Sequence, residues 1–165
     1  MWQEVERRIA DNEADANLPS APLRRSILAE LKKSSATPAH AAKKMAAFKL
    51  PGGITLLWEL TSPSLNFFVA ATLHDSLVSA GFQGEPRPFD HNRLPNGGRH
   101  SALSLDWSFG QEDCICVRIH DAADVERLAS ALAPQPAAAT NPSLSRDKIE
   151  AAMKAFDDYR ATGEN

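Results

Sequence analysis

Residues 102–120 read ALSLDWSFGQEDCICVRIH. Leu103, Leu105, Trp107 and Phe109 alternate with Ala102, Ser104, Asp106 and Ser108. That period of two belongs to a strand with one dry face and one wet face. Residues 110–113, GQED, supply a turn. Ile115, Val117 and Ile119 then alternate with Cys114, Cys116, Arg118 and His120. Two alternating runs joined by a short polar turn predict an antiparallel hairpin. Asp121 follows as a helix cap, with Val125, Leu128, Ala129 and Leu132 on the inward side of a helix over 122–132.

Upstream of the hairpin, residues 84–99 have no period and carry Pro86, Pro88 and Pro95. A long irregular stretch inside a domain is usually functional or unordered. Before it, Ser62-Pro63 is a helix-start pair, and Leu65, Phe68, Val69, Leu73 and Leu77 follow helical spacing. Gly81 is placed to end that helix. A rival reading makes 67–70 a strand and starts the helix near Thr72. Ile54, Leu56, Trp58 and Leu60 alternate with Thr55, Glu59 and Thr61, which predicts a strand over 54–61. Leu57 is the one apolar residue on its second face.

Earlier still, the spacing predicts three helices. Trp2, Val5 and Ile9 stand on one side of an acidic helix within 1–16. Leu23, Ile27, Leu28 and Leu31 line a helix over about 22–34, with Pro22 in its first turn. Thr37 and Pro38 are placed to open a third, with Met45 and Phe48 on its apolar side and Pro51-Gly52-Gly53 to stop it. After the hairpin, the Pro/Ala-rich residues 134–144 read as a semi-rigid linker. Ser145 is placed to cap a last helix carrying Ile149, Met153 and Phe156.

These elements predict an α+β protein with N-terminal helices. Its small, mostly antiparallel sheet is centred on the 102–120 hairpin, with helices on one face. The expected organisation is an acidic segment 1–21, a single domain 22–133, the linker 134–144 and a helix within 145–165. Trp58, Leu60, Leu105, Trp107, Ile115, Val117 and Leu128 are the expected core. At 165 residues the chain is long enough to bury a core without staples. No apolar run reaches membrane-spanning length, so no membrane contact is expected. The start MWQEVE has no leader pattern, and two cysteines give no disulfide framework, which together read as a reducing cytoplasm. A composition rich in alanine and arginine fits a bacterial chain.

The charge is unevenly spread. Residues 22–50 hold Arg24, Arg25, Lys32, Lys33, Lys43, Lys44 and Lys49 against Glu30 alone, a net +6 in a chain of −3, which leaves −9 for the remainder. Such segregation bears on partners more than on fold. It points to an acidic protein or a nucleic acid meeting residues 22–50. The competing account is a solvated face answered by Glu4, Glu6, Asp11, Glu13 and Asp15 nearby in sequence. Base-reading side chains are missing from the third expected helix, where Ala41, Ala42, Ala46 and Ala47 stand instead.

The 84–100 stretch gathers Arg87, Asp90, His91, Arg93, Arg99 and His100. His91 or His100 as acid/base, with Arg93 or Arg99 as an electrostatic clamp, would suit a small phosphate-directed enzyme of the nuclease or phosphotransfer type. Cys114-x-Cys116 lacks zinc-knuckle spacing and a second pair, so no metal is expected, and no motif calls for a cofactor. With no nucleophile elbow or phosphate loop either, the sequence favours a non-enzymatic binding or regulatory protein: an adaptor, an inhibitor or a chaperone-like partner.

Overall fold

The computed structural model describes residues 1–99, 103, 109–134 and 154. Met1–Ala133 make one compact unit and Pro134–Asn165 a second. The expected linker beyond Pro134 and the expected C-terminal helix lie outside the described residues, Lys154 apart, as do Leu105 and Trp107.

The first unit is α+β. Helices α1 (Trp2–Asp11) and α2 (Ala21–Lys33) come first, followed by strands β1 (Thr37–Ala41), β2 (Met45–Lys49), β3 (Thr55–Glu59) and β4 (Leu65–Ala70). A 3₁₀ turn leads into α3 (His74–Ser79), then β5 (Gly84–Arg87), β6 (Cys114–Ile119) and α4 (Ala122–Leu132). The sheet runs β1-β2-β3-β4-β6-β5, and every neighbouring pair is antiparallel. The chain leaves β4, passes through α3 and returns as β5 two places away, and β6 later fills the gap between them.

Local chemistry explains the boundaries. Ser20 caps α2 by accepting from the Leu23 N–H, with Pro22 in the first turn as expected. α2 ends in a Schellman pattern, Ser35 N–H to Lys32 O and Ala36 N–H to Leu31 O. Ser35 takes the left-handed conformation (φ +58°) that glycine usually fills. Asp121 caps α4 through the Asp124 N–H, again as expected.

Two expectations change. Residues 37–49 form the β1–β2 hairpin instead of a third helix. Ala46 and Phe48 face the helices while Met45 and Ala47 face the other side, and all four are buried. A strand covered on both faces loses its alternation, so alanines and a Thr-Pro start mimic a helix. For the same reason 65–70 is a strand and the helix follows it, which is the rival reading. β6 lies where expected, but both of its edges are occupied, by β4 and β5. Residues 102–108 lie outside the described residues except for Leu103.

One sheet face carries the helices. Val5, Ile9, Ile27, Leu31, Val125 and Leu128 pack there on Phe48, Trp58, Phe67 and Val117, with the Trp58 and Phe67 rings stacked at 5.5 Å. The acidic N-terminal segment therefore contributes to the core through α1. On the other face Leu57, Phe68, Cys114 and Cys116 meet Leu103 and Phe109. Both sheet edges carry proline, Pro38 in β1 beside a bulge and Pro86 in β5, which removes ladder donors and discourages strand addition. No helix among the described residues is long and apolar enough to cross a membrane.

Candidate functional site

The seven cations of residues 22–50 go to different places. Arg24 points inward at 2% exposure and donates to the carbonyl oxygens of Leu60 (3.2 Å) and Asn12 (3.5 Å). Arg25 Nη1 meets Glu13 Oε1 at 2.6 Å, and Lys32 Nζ meets Glu6 Oε1 at 2.5 Å while lying 5.3 Å from the centre of the Trp2 ring. Lys33 pairs with Glu30 at 3.3 Å. Lys43 and Lys44 are exposed at the β1–β2 turn. Lys49, near the other end of β2, donates to Thr55 Oγ1 at 2.5 Å.

The two ion pairs between α2 and the α1 segment form a frame. They require α1 and α2 to run antiparallel, with Glu6 level with Lys32 and Glu13 level with Arg25. Between them lies a groove of about 370 Å³ floored by Ile9, Ala10, Leu28 and Ala29. Glu6, Ile9, Ala10 and Glu13 follow i, i+3, i+4, i+7, and so do Arg25, Leu28, Ala29 and Lys32. That spacing brings each set of four to one side of its helix. Glu13 sits in the turn just past α1. In the sequence Glu6 and Glu13 stand out only as acids near the basic island; the signal that matches them to Lys32 and Arg25 is this shared spacing. Each pair is about half exposed, so each contributes at most about 1 kcal/mol. Their main effect is to fix where the charges stand.

In the 84–99 stretch, β5 takes the first four residues, with Arg87 paired to Glu85. Phe89 is buried, and its N–H donates to Asp113 Oδ1 at 2.8 Å. Arg99 braces the loop. It donates to the carbonyls of Glu112 (2.7 Å), Gly110 (3.1 Å) and Arg87 (3.3 Å), with its guanidinium 5.0 Å from the Phe89 ring centre. His91 is exposed, its ring edge-on to Phe89 at 5.0 Å. Arg93 and Arg99 share a shallow depression of about 420 Å³ with Pro95 and Asn96, and His91 does not line it. His100 lies outside the described residues.

A further cleft of about 640 Å³ opens beside β5, lined among others by Phe82, Glu85, Cys116, Arg118, His120 and Arg127. Strand alternation places Cys116, Arg118 and His120 in one row. Arg127 lies 4.3 Å over the Phe82 ring and pairs with Asp124 at 2.8 Å. Burial pushes the Cys116 thiol up to about 11, and raises Cys114 as well. A thiol held protonated is a poor nucleophile and a poor metal ligand. Among the described residues no three His, Cys, Asp or Glu side chains are grouped to hold a metal ion.

Comparison with protein-family models, with curated proteins and with solved structures gives no match.

Proposed function

We propose that this chain is a non-enzymatic binding protein, of an adaptor, inhibitor or chaperone-like kind, that meets a protein partner through the face shared by α1 and α2. The observation that carries the reading is the frame around the groove: Arg25 and Lys32 are each answered by an acid, Glu13 and Glu6, across an apolar floor. A phosphate backbone approaching this face meets the acidic row as soon as the basic one. Few counterions would then be released, and the main source of nucleic-acid affinity is lost. A protein surface of mixed charge and small apolar contacts can match both rows at once.

The enzyme alternative has less support. Arg99 is engaged with backbone carbonyls, and His91 does not share the depression that Arg93 and Arg99 line.

The test is gel filtration of the full chain with mixed short DNA and RNA, at low and at high salt. The expected result is no co-migration at either. A salt-sensitive complex that is lost when Lys32, Lys33, Lys43 and Lys44 are all changed to glutamate would overturn the reading in favour of a nucleic-acid surface.

A further inference from the structure

Resting on that protein-contact reading, we infer that the partner is a second copy of this chain, docked face to face about a two-fold axis that runs along the α1–α2 groove. The argument is one of symmetry and charge. A two-fold contact must be its own complement, and for two faces pressed together the axis lies in the plane of the interface. Two orientations respect the helices.

If the axis runs across the helices, α1 lies on the partner's α1 with the levels reversed. Glu6 then faces Glu13 of the partner subunit, and Arg25 faces Lys32 of the partner subunit. Both contacts set like charges against each other. If the axis runs along the groove, α1 lies on the partner's α2 and the levels are kept. Glu6 faces the partner's Lys32, and Glu13 faces the partner's Arg25. Every cation then has two acids near it and every acid two cations. The apolar floors meet between these layers, with the exposed methyl groups of Ala10 and Ala29 allowing the backbones to approach. Only the second orientation is attractive, and it gives an antiparallel four-helix contact of familiar geometry.

The size of the face sets the strength. Helices of 10 and 13 residues give a patch roughly 20 Å on a side, at 1.5 Å per residue and about 10 Å between axes. Two such patches bury about 800 Å², below the usual range for stable complexes. The dimer should therefore be reversible, with Kd on the order of micromolar or weaker, and should weaken with salt.

The experiment is sedimentation velocity on the full chain over a range of concentrations, with two charge-reversed variants. One is Glu6→Lys with Glu13→Lys, and the other is Arg25→Glu with Lys32→Glu. The parent is expected to show a concentration-dependent dimer. Each variant alone should lose at least about tenfold in affinity, since each lost contact of this kind is a sizeable share of a weak interface. An equimolar mixture should recover a dimer, because the basic α1 of one variant then meets the acidic α2 of the other, and the acidic α1 of the second meets the basic α2 of the first. Each variant also breaks pairs within its own chain, so far-UV circular dichroism is recorded on both. Recovery on mixing cannot come from unfolded chains.

A parent that is monomeric throughout overturns the second-copy inference and leaves the protein-contact reading standing. Variants that dimerise like the parent, or a mixture that stays monomeric, overturn it equally. A salt-sensitive nucleic-acid complex would instead remove the reading on which the inference rests.

Discussion

Among the described residues Arg24 is the one buried polar or charged side chain, and replacing it should separate two contributions that usually change together. Its guanidinium donates to Leu60 O at 3.2 Å and to Asn12 O at 3.5 Å, tying α2 to the end of β3 and to the turn after α1. Burial lowers its pKa, against the opposing pull of Asp15 and Glu13. A hydrogen bond from a charged donor contributes about 1.5–3 kcal/mol net. The Asn12 contact is long, so one such bond, about 2 kcal/mol, is the fair credit. The two buried methylenes that alanine lacks, Cγ and Cδ, add about 0.8 kcal/mol each. Arg24→Ala should therefore cost about 3–5 kcal/mol, since it also leaves a cavity and strands the Leu60 carbonyl. Arg24→Met keeps the apolar stem and lifts the cost of holding a charge inside, which can offset much of the lost bond. Its cost should be about 0–2 kcal/mol. Urea unfolding followed by tryptophan fluorescence and circular dichroism measures both, read as midpoint shifts at constant slope. Equal costs for the two variants would refute the importance of the stem. A cost below about 1 kcal/mol for Arg24→Ala would refute the buried, bonded guanidinium altogether.

Four other substitutions test the sheet and the loop beside it. The Cys116 thiol is raised from 9.0 to about 11, so between those values the unfolded chain has released a proton that the folded chain keeps. Stability should fall as pH rises through that window, by at most about 3 kcal/mol, and Cys116→Ala should flatten the slope; parallel curves for parent and variant would contradict this. A Cβ at Gly84 would stand 2.3 Å from Ile115 Cγ2, so Gly84→Ala should cost about 1–3 kcal/mol. Adding Ile115→Ala, which removes that methyl group, should cost less than the two single changes summed, and strict additivity in thermal melts would count against the contact. Arg99→Ala takes the donor away from three loop carbonyls. It should expose residues 88–99 to limited proteolysis while leaving the unfolding midpoint of the helical core within about 2 kcal/mol of the parent. Unchanged cleavage would mean the loop is held by something else.

The parts of the fold that could be read from the chain are those where large apolar residues alternate with polar or smaller ones, or where a cap stands at a boundary. β3 and β6 alternate, Ser20 with Pro22 and Asp121 mark helix starts, and Leu128, Val117 and Trp58 are buried as expected. What could not be read are the strands whose two buried faces carry residues of the same kind. In β2 the run Met45-Ala46-Ala47-Phe48 is buried without a break, and local sequence holds no record of a second layer supplied by distant residues. In β4, Phe67 faces the helices and Phe68 the opposite layer, so helical and strand spacing both fit the same letters. Strand order was equally hidden, because the partner that β6 finds in β4 lies almost fifty positions upstream and no local pattern names it.

The charge pattern shows the same limit in a different way. Counting along the chain joins Arg25 and Lys32 to Lys43, Lys44 and Lys49 because they are consecutive in sequence. In space the nearest charges to Arg25 and Lys32 come from before the island, at Glu13 and Glu6. An ion pair of this length is close to neutral when viewed from beyond a Debye length, about 8 Å at physiological salt. A polyanion approaching from solution therefore meets little net field from α2, however basic the segment is as text. At contact distance the rows separate again, and a surface that comes within about 4 Å meets an acid on one side of the groove and a base on the other, each interaction worth about 1 kcal/mol in water and more as water is excluded. Only a partner rigid enough to present opposite charges at the same spacing can collect both, and a pair of helices with charges seven residues apart is such a partner.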